Sequence, residues 1–331
     1  MLSKTEASYL SESIKPTNTA GQTAKSLRAD GRGLFSFRPI NIITGVSAQS
    51  NGSARAQLFT SSSGVVTDVL VGCKLEVEER DFSTMGARVE CTVECPPATL
   101  NALSSDPSSL YTSYLNSIFS PLGSSKQLRI SSTQTWSLYI DAIVLSASGG
   151  SLMDVMCLAI RAALSDLKIP KTKELGFQIQ KPTLPLIDGM QIDVSPEKEE
   201  VMERAGITGL LHSRKPLASG RRGPGGGKGI NFELQDTDGN LGDRLINKDE
   251  IPVVVTINVL GDQLFLDATL EEEMLTASRV ILTYVASGTK LTNVIQSGNK
   301  SEIGFDCLKR IIMVCPPVSS FNTHLKQASA S

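Results

Sequence analysis

Few stretches of this 331-residue chain combine residue types that could do chemistry. Gly149-Gly150-Ser151 stands between two apolar runs, where a strand gives way to a helix. Two readings fit it. It is a tight turn whose hydroxyl caps the helix, or it keeps the backbone N–H donors that hold a free anion at a helix N-terminus. Leu152 follows, and Asp154 places a negative charge beside any such anion. A second stretch is acidic. Asp243, Asp249 and Glu250 precede Pro252. They could bind Mg²⁺ through carboxylate oxygens, or form a solvated loop ahead of a strand.

Other catalytic patterns are weak. The only histidines are His212, beside a Gly-rich tract, and His324, among the last ten residues, so no Ser-His-Asp triad is expected. The run Gly223 to Gly229 lacks the spacing of a phosphate-binding loop and does not join a strand to a helix. Cys73, Cys91, Cys95, Cys157, Cys307 and Cys315 form no CxxC pair. They are read as reduced core thiols, with no metal site, in an intracellular and reducing compartment. No cofactor is implied. Cations that could hold RNA phosphates are Arg28, Arg32, Arg55, Lys74 and Arg88. For Arg32 and Arg55 the alternative is a salt bridge within the fold or across an interface. Arg214, Lys215, Arg221, Arg222 and Lys228 make a further basic tract.

The composition limits these possibilities. Net charge is −2 and aromatic residues make up 5%. A surface that held nucleic acid everywhere would be basic, and base stacking needs interleaved aromatics. RNA contact, if made, is therefore local or shared. Hydrophobic residues at 40% suit a globular protein with a sizeable core. No apolar run approaches the length of a membrane span, and the mixed-charge N-terminus is not a secretory signal.

The elements that would position these residues follow from periodicity. Ser3 to Glu6 reads as a capping box opening a helix with Tyr9, Leu10 and Ile14 on one side. Alternation predicts strands over Ser53–Phe59, Val69–Val77 and Arg88–Cys95, each with one face buried as in an antiparallel sheet. Asp106-Pro107 predicts an N-cap and first turn, followed by a stripe of Leu110, Tyr111, Tyr114, Leu115, Ile118 and Phe119. A strand over Trp136–Leu145 and a helix from Ser151 to about Leu167 come next; that helix is apolar nearly all round and so buried. Strands at Pro252–Val259 and Gln263–Asp267, a helix from Leu270, strands near Val280–Val285 and Leu291–Ile295, and a helix from about Ser301 complete an α+β chain. The divisions are 1–25, helix and linker; 26–170, first half of the domain; 171–230, an insertion with a disordered basic Gly-rich loop; 231–318, second half; and 319–331, a flexible tail.

Five short stretches, in order, resemble one family. They are Arg28-Ala29-Asp30-Gly31-Arg32; Gly52-Ser53-Ala54-Arg55 with Asp68-Val69-Leu70-Val71-Gly72; Trp136 to Asp141; Gly149-Gly150-Ser151-Leu152-Met153-Asp154; and Asp267-Ala268-Thr269-Leu270 with Glu272 and Glu273. Together they resemble the RNase PH-like ring subunits of the eukaryotic RNA exosome, over about residues 26–316. The resemblance implies the ribosomal protein S5 domain 2-like fold, with antiparallel and mixed sheets and packed helices. It implies a six-membered ring of RNase PH-like chains, S1/KH cap proteins, associated nuclease subunits and RNA as partners, no membrane, and a place in nucleus, nucleolus and cytoplasm. Active relatives are phosphorolytic and hold phosphate with Gly-Gly-Ser/Thr-Arg. Here the arginine position is Leu152, which removes a bidentate clamp and its charge. Their second acidic element matches Glu250. The resemblance thus implies a non-catalytic subunit with degenerate positions Leu152 and Glu250. The alternatives are an active phosphorolytic 3′-exoribonuclease and an RNA-binding module acting alone.

Overall fold

A computed structural model of the chain describes residues 2–15, 28–60, 64–100, 107–131, 133–174, 232–234, 243–244, 250–285, 290–298 and 303–314. The expected linker at 16–25, Asp106, most of the insertion with Arg221 and Arg222, both histidines, Cys315, Asp249 and the tail lie outside these residues. The chain divides into two units, 1–173 with 234–331, and 174–233. The first carries the elements described below; the second is represented by its ends alone.

The first sheet forms where alternation is strongest. Its strands are β1 (Ile40–Thr44), β2 (Gly52–Thr60), β3 (Gly64–Glu79), β4 (Val89–Glu94) and β5 (Gln134–Ala147), ordered β1-β2-β3-β5-β4. Ala54, Ala56, Leu58, Val69, Val71, Cys73, Ile140, Ala142 and Val144 are buried on one face, as their period of two demands. β4 runs parallel to β5, while the other pairs are antiparallel. The antiparallel expectation is corrected there: between β4 and β5 lies helix α2, a crossover that a parallel pair needs. α2 (Ser108–Phe119) begins after Pro107 with no side-chain cap, and Leu110, expected in the apolar stripe, is instead exposed. The helix also closes the free edge of β4. Asn116 Oδ1 accepts from the Cys91 N–H at 2.8 Å, and Thr112 Oγ1 accepts from the Val93 N–H at 3.1 Å.

The second sheet has the order β7-β6-β8-β9, with β6 (Val253–Leu260), β7 (Gln263–Leu266), β8 (Ser278–Val285) and β9 (Lys290–Ser297), all antiparallel. Helix α3 (Leu152–Asp166) packs against β1, β2, β3 and β5 and also against β6, so it is buried nearly all round. One core joins Leu158 of α3 to Val253, Val255, Ile257, Leu282 and Ile311. Ile311 belongs to α5 (Phe305–Val314), whose Phe305 and Ile312 are exposed. Short helix α4 (Leu270–Leu275) carries a capping box from Thr269 to Glu272. The N-terminal helix α1 (Lys4–Ile14) carries the box expected from Ser3 and Glu6; it buries Leu10 and Ile14 and leaves Tyr9 exposed. Cys91 is buried, while Cys95 falls beyond the end of β4 and is half-buried.

Candidate functional site

The turn into α3 is built by close backbone approach. A Cβ on Gly149 would lie 2.4 Å from Val66 Cγ2 and 2.7 Å from Thr67 Oγ1. Gly150 has φ +73° and its Cβ would lie 2.6 Å from the backbone nitrogen of Leu270. Both glycines are therefore fixed by packing and, at Gly150, by the left-handed backbone. Their carbonyls are taken: Arg38 Nη1 donates to Gly149 O at 2.7 Å, and Thr67 Oγ1 donates to Gly150 O at 3.0 Å.

Ser151 corrects the expected N-cap. It sits at φ 50°, ψ 32°, and its hydroxyl donates to Ala268 O at 3.2 Å instead of accepting from the first turn. Its N–H donates to Glu273 Oε1 at 2.8 Å. The chain's own carboxylate thus sits where an anion would meet the start of α3. Arg279 Nη1 lies 3.4 Å from the other oxygen of Glu273. Burial raises the Glu273 pKa against the opposing pull of Arg279 and of the Ser151 N–H.

Leu152 is buried, packed inward rather than facing a ligand. Asp154 corrects another expectation. It is 4% exposed, and its Oδ1 accepts from the Thr256 N–H at 2.9 Å. Burial pushes its pKa up to about 8, so at neutral pH it is mostly uncharged.

Glu250 is exposed and lies elsewhere. Arg161 Nη1, nearly three turns into α3, donates to Ile251 O at 2.5 Å, whereas Asp154 in the first turn meets Thr256. Ile251 stands five positions before Thr256, about 17 Å for extended chain. Leu152 and Glu250 are therefore not brought together. Asp243 pairs with Ile169 in a two-residue ladder. Among the described residues, no three His, Cys, Asp or Glu side chains gather to hold a metal ion.

The arginines near the start of the domain form a buried lock. Asp267, at φ 47°, accepts from Arg38 Nη2 at 2.6 Å, from the Arg38 backbone N–H at 2.7 Å and from Arg32 Nη1 at 2.6 Å. Burial would raise its pKa, but Arg38 and then Arg32 more than offset this and hold it below the usual value. Arg28, 2% exposed, donates through Nε to Glu272 Oε1 at 2.9 Å, through Nη2 to Glu272 Oε2, and to the carbonyls of Leu266 and Asp267. Arg32 also holds Asp30 at 2.6 Å and Ser36 O at 3.2 Å. These bonds engage Arg28 and Arg32 within the fold, which for Arg32 is the salt-bridge alternative. Arg38 carries no motif of its own in the sequence, and its partner lies 229 residues away.

The strand cations each face a carboxylate. Arg55 meets Asp68 through two bonds of 2.9 and 2.6 Å. Lys74 pairs with Glu76 and Arg88 with Glu90, both at 2.6 Å. Lys74, Tyr139 and Glu90 form one row across β3, β5 and β4, with Arg88 6.0 Å above the Tyr139 ring. Beside them Asp141 has a raised pKa, from burial and then from Glu94. The three cations stay accessible, on a face where acids match them.

Comparison with known proteins agrees with this architecture. Residues 36–170 match domain 1, and residues 250–310 match domain 2, of the 3′ exoribonuclease family; together the matches span more than half of the chain. A putative exosome complex exonuclease RRP42 of Dictyostelium discoideum is 22% identical over 310 residues, 77% of this chain and 78% of that protein. The exosome complex component rrp42 of Schizosaccharomyces pombe is 28% identical over 174 residues, 51% of this chain and only 54% of its own length. Among solved structures, the Archaeoglobus fulgidus exosome with RNA bound to the active site shares the fold. Its TM-score is 0.56 at 18% identity, covering 93% of this chain and 92% of that one. An archaeal exosome core gives 0.51 at 19% identity, covering 87% and 86%. With both domains matched in order on the two sheets described above, the chain belongs to the RNase PH family of 3′ exoribonucleases.

Proposed function

We propose that the chain is a non-catalytic subunit of an RNA exosome ring. In this reading it supports 3′-to-5′ RNA processing and degradation by channelling RNA to separate nuclease subunits. One observation carries the inactivity: Glu273 already holds the N–H of Ser151 at the start of α3. A phosphate arriving there would meet a carboxylate instead of open donors, and the buried Leu152 supplies no guanidinium. Glu250 stands just before Ile251, whose carbonyl Arg161 holds nearly three turns into α3 and away from the helix start.

The names of the relatives support the assembly. The partners are other RNase PH-like chains in a six-membered ring, S1/KH cap proteins, nuclease subunits and RNA, in nucleus, nucleolus and cytoplasm. No cofactor is required. RNA contact then rests on Arg55, Lys74 and Arg88 and on the tract with Arg221 and Arg222, weakening as salt rises.

The test is to isolate the tagged chain from its own cells and to assay RNA breakdown with and without inorganic phosphate. Recovery with stoichiometric ring and cap proteins, and degradation indifferent to phosphate, is expected. A chain recovered alone that releases nucleoside diphosphates only with phosphate would make it an active phosphorolytic exoribonuclease.

A further inference from the structure

Beside the start of α3, four buried side-chain oxygens lack a partner at hydrogen-bond distance among the described residues: Asp154 Oδ2, Thr256 Oγ1, Asn258 Oδ1 and Thr283 Oγ1; the Thr256 hydroxyl is still near enough to Asp154 to pull its pKa down against burial. The other three such atoms, on Ser125, Gln134 and Thr135, lie in or before β5, so these four are a local feature. Relative exposure is 4% for Asp154, 7% for Thr256, 2% for Asn258 and 1% for Thr283.

The register places them together. Thr256 and Asn258 are two apart on β6 and share a face. Thr256 faces Ile281 on β8, and Thr283 is two further along that strand, a diagonal neighbour on the same face. Asp154 reaches Thr256 from α3, where its Oδ1 holds the backbone N–H. Asn258 contributes one long bond, Nδ2 to Phe265 O at 3.5 Å, leaving its oxygen unused.

Buried polar atoms are costly when left unpaired, and a polar site with two to four convergent partners is one that water occupies. We infer that Asp154, Thr256, Asn258 and Thr283 hold a row of ordered internal waters, a hydrated seam between α3 and the second sheet. The donors and acceptors suit water. Each threonine hydroxyl donates and accepts, Asn258 Oδ1 accepts, and the mostly protonated Asp154 donates from its second oxygen. Thr283 stands opposite Val254, four positions or about 13 Å along the strands from Asn258, and one water spans at most about 6 Å between two partners. More than one water is therefore required.

The seam predicts an order of stabilities. In the full chain, Thr256→Ser keeps the hydroxyl and Thr256→Val replaces it with a methyl group of the same shape. A hydrated row makes the serine variant the more stable of the two, with the valine variant melting about 2–4 °C below wild type. Thr283→Val should show a similar loss. A dry site gives the opposite result at Thr283, where valine removes an unpaired hydroxyl, and a Thr283→Val variant at or above wild type overturns the inference. A high-resolution crystal structure is the second readout. Expected are peaks within hydrogen-bonding distance of at least two of the four oxygens. A seam with no peak within hydrogen-bonding distance of any of the four oxygens would also overturn it.

Discussion

Two sets of basic residues in this chain carry the same charge and meet opposite fates. Arg28, Arg32 and Arg38 are withdrawn from solvent, each donating to two or more fixed acceptors, among them Asp267 and Glu272. Arg55, Lys74 and Arg88 stand on or beside the first sheet, within reach of water, each against one carboxylate. In the first set the charges are desolvated, so loss of one partner strands the others in a poor dielectric. In the second, water and salt screen the pair, and little stability rests on it. A motif rich in arginine is thus no sign of nucleic-acid contact until its burial is known.

The sharpest way to break this contrast is Asp267→Ala. It leaves Arg38 and Arg32 without their shared carboxylate and should cost about 3–5 kcal/mol in denaturant unfolding. A loss near zero would place the lock with the surface pairs. Asp154→Asn probes the one buried acid near α3 that has no cation. Its folded pKa of about 8 stands above the ordinary 3.8, so the folded chain keeps a proton that the unfolded chain releases. Its contribution to stability is complete below about pH 3.8, declines as pH rises, and is gone above about 8, with a slope of at most about 1.4 kcal/mol per pH unit. The asparagine variant should lose that slope in melts taken between pH 5 and 8; an unchanged slope would mean that the carboxyl ionises normally. Arg88→Ala should change stability by no more than about 0.5 kcal/mol. Its effect is expected in the salt dependence of RNA binding by the assembled particle. A large loss of stability would move Arg88 into the structural set.

The fold was legible where one face is buried. Period-two alternation marks β2, β3 and β4, and the apolar sequence of α3 marks a helix covered on both sides. The direction of β4 was not legible, because alternation states which face is buried and not which way the strand runs. Ser151 and Asp154 misled for a common reason. A hydroxyl and an acid at a helix start predict capping and a charge, and neither letter shows that Ala268, Glu273 and Thr256 crowd the same place. The lock escaped because its halves lie at opposite ends of the domain. A residue such as Arg38 has no local pattern to betray a carboxylate 229 positions away.

That separation also has a consequence for synthesis. Arg28 and Glu272 are 244 residues apart. At about 5–20 residues per second, translation leaves Arg28 without its counter-charge for on the order of 10–50 s. During that interval the first sheet and α3 can form, but the end of α3 that packs on Ala268 to Leu270 has nothing to close against. The nascent first half thus stays open at that turn until the last third of the chain has been made.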